Sequence, residues 1–296
     1  MGYGEAPWVF KGRALYQLQL VKVDEAKKYM PKELKLVELF GYTLGGFYLA
    51  RYDDSPVGAF DELVVLAGLA WNPPTSCAWA ARVYVNNKSA RDHGLHSVGL
   101  PSRLADFSAS SCGPADKSRS WWWQSKGAGI LDGKNNKQIG GTTAPGCTLL
   151  EGDLCIKNME KAPSRSSSSP VCSLQLPPAL EAQAWSGPRI RLALPSFSGG
   201  TPDHPDLLKY ACDLLTCVRP VSPAVVILPK ASTSQEGQGK QGKAGSSSTT
   251  ELLSSVLNGA PVLALAFEDM VMTVQEPVRA MYTLSPPVVG QSGVNA

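Results

Sequence analysis

Residues Ala14–Val23 read Ala-Leu-Tyr-Gln-Leu-Gln-Leu-Val-Lys-Val, a run that largely alternates apolar and polar side chains. Successive side chains of a strand point to opposite faces, so this period of two predicts a half-buried β-strand. The signal then recurs at short intervals. Gly41–Tyr52 and Glu62–Trp71 are apolar runs rich in aromatic and β-branched residues, closed by Asp53-Asp54-Ser55-Pro56 and Asn72-Pro73-Pro74. Leu34–Leu39 and Ala78–Val85 add two more strand-like segments. Helical signals are brief: Asp24 is placed to cap a helix over Glu25–Tyr29, which Pro31 stops. Many short strands and few short helices predict an α+β chain, mainly antiparallel β, built as a barrel or sandwich.

The order is uneven along the chain. Residues 114–170 are loose and polar, with one strand signal inside them at Thr148–Lys157. Order returns at Trp185–Phe197, continues through Leu207–Val218 and Ala224–Leu228, and closes with Val262–Glu276. Lys230–Thr250 is rich in Ser, Gly, Gln and Lys and reads as a disordered loop. The expected organisation is one domain over 1–284 with low-complexity loops at 114–170 and 230–250, then a disordered tail over 285–296.

Composition narrows the function classes. The net charge is only +3 and there is no basic stripe interleaved with aromatics, so a nucleic-acid partner is not expected. No apolar run is long enough to span a membrane as a helix. The seven cysteines fall at irregular spacings, and neither a disulfide framework nor a zinc set is expected. No phosphate-loop or dinucleotide fingerprint occurs; Gly133-Lys134 and Gly199-Gly200-Thr201 do not meet those patterns. No cofactor and no metal are expected.

Asp92, His93 and His96 could hold a metal, but a solvated turn is the expected role. Ser102 stands in Gly99-Leu100-Pro101-Ser102-Arg103, which is not a nucleophile elbow. Trp121-Trp122-Trp123 cannot all enter one core if extended; partial burial against the barrel is the expected role, and an exposed ring would suit a membrane surface or a partner patch.

Longer stretches carry a resemblance. Tyr42-Thr43-Leu44-Gly45-Gly46-Phe47, Tyr52-Asp53-Asp54-Ser55-Pro56 and Trp71-Asn72-Pro73-Pro74-Thr75-Ser76-Cys77-Ala78-Trp79-Ala80-Ala81-Arg82 resemble the neoxanthin-deficient protein family of plants and algae. So do Val98-Gly99-Leu100-Pro101-Ser102 and Leu194-Pro195-Ser196-Phe197-Ser198-Gly199. The likeness is dense over residues 3–112 and good over 185–228. That family is similar in turn to acetoacetate decarboxylase, which implies a closed β-barrel around a pocket, with short peripheral helices.

The resemblance also implies site residues. The decarboxylase's two adjacent lysines fall on Ser102 and Arg103, an active-site arginine on Arg13, and two active-site glutamates on Glu62 and Phe47. Arg13, Phe47, Glu62, Ser102 and Arg103 are therefore the candidate pocket-lining set, with Arg13 and Glu62 a candidate buried ion pair. A Schiff base needs a neutral primary amine; a serine hydroxyl cannot form an imine and a guanidinium stays protonated. Acetoacetate-type decarboxylation is thus not expected, and the loss of a carboxylate at Phe47 favours an apolar ligand.

The family link implies a part in forming neoxanthin, a xanthophyll carotenoid and abscisic-acid precursor. Three readings stay open: a protein that binds a carotenoid or other lipophilic ligand; an enzyme converting violaxanthin to neoxanthin with Glu62 as acid/base; or a scaffold for a carotenoid-pathway enzyme. A homo-oligomer is a further expectation from the decarboxylase likeness. The pathway is plastidial, so the chloroplast is the expected compartment although no transit peptide is visible in the first residues, with the cytoplasm as the alternative.

Overall fold

The computed structural model describes residues 3–109, 153–160, 169–176, 187–229 and 244–280. In chain order the strands are β1 (Trp8–Lys22), β2 (Tyr42–Asp54), β3 (Phe60–Asn72), β4 (Thr75–Val85), β5 (Ser102–Ala109), β6 (Asp153–Asn158), β7 (Ser169–Gln175), β8 (Arg189–Gly199), β9 (Leu207–Pro220), β10 (Val225–Ile227), β11 (Pro261–Val274) and β12 (Val278–Arg279). Among the described residues three α-helices accompany them, α1 (Val23–Lys27), α2 (Lys88–His93) and α3 (Ala244–Leu257), with a π-helical turn over Gly94–Val98.

Seven strands close on themselves in the order β4-β3-β2-β1-β11-β9-β8, and β8 returns to β4. Every neighbour in this ring is antiparallel except the closing pair, a parallel ladder of only Ala78↔Ser196 and Trp79↔Phe197. Beyond those residues β4 leaves β8 and pairs instead with β5, in parallel, over Val83–Val85. From there β5-β6-β7-β10 forms an antiparallel extension.

The period of two sorts the side chains. On the outer face of β1–β3, Leu15, Phe47, Leu49, Leu63 and Val65 are completely buried. They pack in one cluster with Phe107, Leu154, Ile156 and Leu174 of the extension and with Leu252, Leu253 and Val256 of α3. The inner face carries a separate cluster that includes Phe10, Ala14, Ala50, Tyr52, Phe60, Leu214 and Met270. Strands therefore bury both faces, and α3 and the extension act as the outer cover.

Two details hold the register. Gly46 adopts φ +130, and a Cβ there would stand 2.1 Å from the Gln17 carbonyl oxygen, so only glycine lets β1 and β2 approach. The fully buried Gln17 amide clamps the segment before β10: its Nε2 donates to the Ala224 carbonyl (3.1 Å) and its Oε1 accepts the Ala224 N–H (2.7 Å).

Several local expectations change. Leu34–Leu39 forms no strand; it makes isolated bridges at Leu36↔Ala70 and Leu39↔Tyr42. The first helix runs Val23–Lys27, its N-cap is Lys22 with no side-chain cap bond, and Asp24 lies inside the first turn. The Ser/Thr-rich stretch expected to be disordered through Thr250 becomes α3 from Ala244 onward, because Leu252, Leu253 and Val256 at helical spacing bury against the barrel. Strands β5 and β7 escaped the reading altogether. The tryptophan cluster at Trp121–Trp123, Gly133-Lys134 and the tail lie outside the described residues.

Candidate functional site

The barrel interior is not filled. All seven ring strands line a cavity of about 500 Å³, with Tyr3 and the α2–β5 segment lining it too. Evenly spaced residues point into it: Phe10 and Tyr16 from β1, Tyr48 and Tyr52 from β2, Phe60, Glu62, Val64 and Leu66 from β3. Register places them side by side, with Tyr16 opposite Tyr48 and Tyr52 opposite Phe60. The rings of Phe10, Tyr52 and Phe60 form a compact triangle with centroids 4.8 to 6.3 Å apart.

Among the described residues lining the cavity, Glu62 is the one carboxylate, and there is no lysine or arginine. Its Oε2 accepts a hydrogen bond from the Tyr52 hydroxyl at 2.9 Å. Burial pushes its carboxyl up to about 7, against the smaller opposing effect of that hydrogen bond. The Tyr48 hydroxyl donates to the Met270 sulfur at 3.3 Å. Burial raises the pKa of both phenols, so both stay protonated. Tyr16 is pushed up to about 12 by burial, and Tyr210 well above its usual value. The result is a wall of neutral hydroxyls, one of them hydrogen-bonded to a single carboxyl that titrates near neutrality.

His93 supplies the only other ionisable nitrogen among the lining residues described. It ends α2, whose N-cap Asn87 accepts from the Ser89 and Ala90 N–H groups. The ring stacks on Tyr3 (centroids 3.6 Å, 5°) and meets Trp8 edge-on at 4.3 Å. Burial lowers its pKa to about 4, so it is neutral at pH 7, and its Nε2 has no partner. The solvated turn expected here is corrected: His93 is wedged between aromatics, and a π-helical turn over Gly94–Val98 follows it. His96 points elsewhere, towards Asp203 (3.5 Å).

The five residues expected to share the pocket do not all meet there. Glu62 and Ser102 line it. Ser102 is 4% exposed and sits against Gly94, where a Cβ would come 2.2 Å from its Oγ. Phe47 instead lies in the outer cluster, one residue out of phase with the cavity-facing Tyr48. Arg103, next to Ser102 on a strand, faces the other side and holds Glu160 at 2.8 Å. Arg13 does not pair with Glu62; it reaches Asp53 (3.6 Å) beside Arg51, and burial lowers its pKa despite Asp53. Along β1 Arg13 shares the parity of Leu15, which belongs to the outer cluster, and so falls on the face opposite Ala14 and Tyr16.

The cavity tyrosines were not among the candidate site residues, and His93 was weighed only as a metal ligand or part of a solvated turn. A signal for the tyrosines was present: Tyr48, Ala50 and Tyr52 share a parity, as do Phe60, Glu62 and Val64 on the next strand. No comparable signal placed His93 in the cavity.

No protein-family model matches the chain. It is 43% identical over 280 residues to "Protein NEOXANTHIN-DEFICIENT 1" of Arabidopsis thaliana, covering 94% of each chain. To the protein of the same name from Oryza sativa it is 44% identical over 290 residues, covering 93% of this chain and 90% of the other. The Solanum lycopersicum counterpart is 42% identical over 293 residues, covering 94% and 93%. Among solved structures, an acetoacetate decarboxylase from Legionella pneumophila superposes with a TM-score of 0.50 at 12% identity, covering 95% of this chain and 90% of that one. That last likeness is one of fold.

Proposed function

The chain belongs to the neoxanthin-deficient protein family, and from that membership we propose that it supports neoxanthin formation by holding a neutral, oxygen-bearing lipophile in the barrel cavity. The observation that carries this reading is the make-up of the wall: aromatic and aliphatic side chains, protonated tyrosines, one high-pKa carboxyl and, among the described lining residues, no lysine or arginine. A carboxylate ligand would enter with no counter-cation and would face Glu62, losing hydration without compensation. An alcohol or epoxide oxygen would instead meet the donors and acceptors of Tyr48, Tyr52, Glu62 and His93. A cavity of about 500 Å³ suits one oxygenated ring of a xanthophyll and the adjoining polyene rather than the whole molecule.

Imine chemistry has no support at this site. Ser102 occupies the position that the decarboxylase likeness assigns to the lysine, and the described lining offers no other primary amine.

The test is a titration of intrinsic fluorescence with violaxanthin, with neoxanthin and with a long-chain carboxylate of similar size. Saturable quenching by the xanthophylls, at least about tenfold tighter than by the carboxylate, is expected. Equal or stronger binding of the carboxylate would overturn the reading.

One observation favours a second reading. Glu62, titrating near 7 and hydrogen-bonded by Tyr52, is poised as a general acid or base. Opening an epoxide to an allenic alcohol is an isomerisation: a proton leaves carbon, the C–O bond breaks, and the oxygen is protonated. One carboxyl could take the first proton or give the second. Turnover of violaxanthin by the purified protein, abolished by Glu62→Gln with binding retained, would establish catalysis; binding without turnover would leave the binding role alone.

A further inference from the structure

On the opposite side of β4 from the cavity lies a second group of polar side chains. Arg82 and Tyr84 share that face, and Tyr84 is the direct partner of Arg103 in the parallel β4–β5 ladder. Tyr84 is 0% exposed, yet its hydroxyl has no hydrogen-bond partner. The Nε atoms of Arg82 and Arg103 are also buried and unpartnered. A buried hydroxyl or guanidinium N–H normally finds an acceptor, because an unmet one costs its desolvation.

The charges do not balance either. Glu160 is the acid at this place. Its Oε2 accepts from Arg103 Nη1 at 2.8 Å and its Oε1 from the Leu104 N–H at 3.4 Å. The carboxylate is thus already engaged by Arg103, and Arg82, which attracts it only at longer range, stands beside a like charge. Burial lowers the pKa of Arg82, with Arg103 adding to the effect; Tyr84 is held in the field of both arginines. Among the described residues, two guanidiniums, one acid and an unpartnered phenol leave this place with net positive charge and donors in excess of acceptors.

We propose that Arg82, Tyr84 and Arg103 form a binding site for an oxyanion, a phosphate or carboxylate group, on the outer face of β4 and β5. Arg82 offers its planar fork to two oxygens, Tyr84 donates its hydroxyl to one of them, and Arg103, steadied by Glu160, closes the positive side. Glu160 limits the site to a group that approaches from the Arg82 side. The site is separate from the cavity, and its existence does not depend on what the cavity holds.

Calorimetric titration of the full chain in phosphate-free buffer with inorganic phosphate, and separately with acetate, tests it and tells the two oxyanions apart. Saturable binding of at least one is expected, weakened at least about tenfold by Arg82→Met and several-fold by Tyr84→Phe, which keeps the buried ring. Without anion, Arg82→Met should melt at the same or a higher temperature than the parent, since it removes a desolvated like charge. The anion's own increase in melting temperature should vanish in that variant. Absence of saturable binding, binding that survives Arg82→Met, or a lower melting temperature for anion-free Arg82→Met would each overturn the proposal, the last by making Arg82 a structural cation.

Discussion

The same three strands, β1 to β3, present two unlike faces. Outward, Leu15, Phe47, Leu49, Leu63 and Val65 are completely buried and closed over by α3 and the sheet extension. Inward, Phe10, Tyr16, Tyr48, Tyr52 and Glu62 surround space. A barrel of this size could have filled its middle with side chains. Instead large rings stand round the wall, with the Tyr52 hydroxyl donating to the one carboxyl. The outer face is packed for stability, and the inner face keeps a hollow with an unsolvated acid in it, which lowers stability above the acid's unperturbed pKa. That contrast separates residues that hold the fold from residues that use it.

The contrast breaks most sharply at Phe47. Phe47→Ala should cost about 3–5 kcal/mol in urea unfolding, the usual range for a large buried ring, while the folded fraction binds cavity ligands unchanged. If Phe47→Ala altered ligand affinity without loss of stability, the two faces would have been assigned wrongly.

Next in size is the acid's effect on stability. Glu62 has a folded pKa of about 7, above its unfolded value near 4.5. Between those values the native state binds the extra proton, so stability is fullest below about 4.5 and falls as pH rises to 7, by about 3 kcal/mol at 1.36 kcal/mol per unit. Glu62→Gln should flatten that slope and leave the protein more stable than the parent at pH 8.

His93 bends the profile the other way. Its folded pKa of about 4 lies below its unfolded value of 6.5, so its contribution is present above 6.5 and is lost as pH falls towards 4. Discounted for the ring's partial exposure to solvent, the expected loss is about 2 kcal/mol, removed by His93→Phe and read from unfolding midpoints across pH. The smallest effect belongs to Tyr52→Phe, which deletes one hydrogen bond to Glu62 and should cost about 1 kcal/mol. The same change should move the Glu62 carboxyl further up, visible as a shifted carboxyl-stretch titration by infrared spectroscopy.

The strands that make the barrel were legible because alternation in β1 to β4 is a local property. What escaped depended on neighbours. Phe47 and Tyr48 are adjacent, and choosing which faces the hollow requires knowing the phase of the strand against its partner; a slip of one residue reverses the answer. Arg13 fell on the outer face because it shares the parity of Leu15 rather than that of Tyr16. The Ser/Thr-rich start of α3 looks like loop composition, and only burial of its later leucines against the barrel makes it helical. Glu62 and Ser102 were found through family likeness, whereas the tyrosines around them could have been found by parity alone.

One seam in the wall is much thinner than the rest. Between β4 and β8 only Ala78–Trp79 and Ser196–Phe197 pair, and Ala78, Ser196 and Phe197 all border the hollow. Elsewhere round the ring, breaching the wall means undoing a long zipper of backbone bonds. Here a few amide bonds are the whole clasp, so a bulky guest unable to thread an end has its least expensive doorway at this junction.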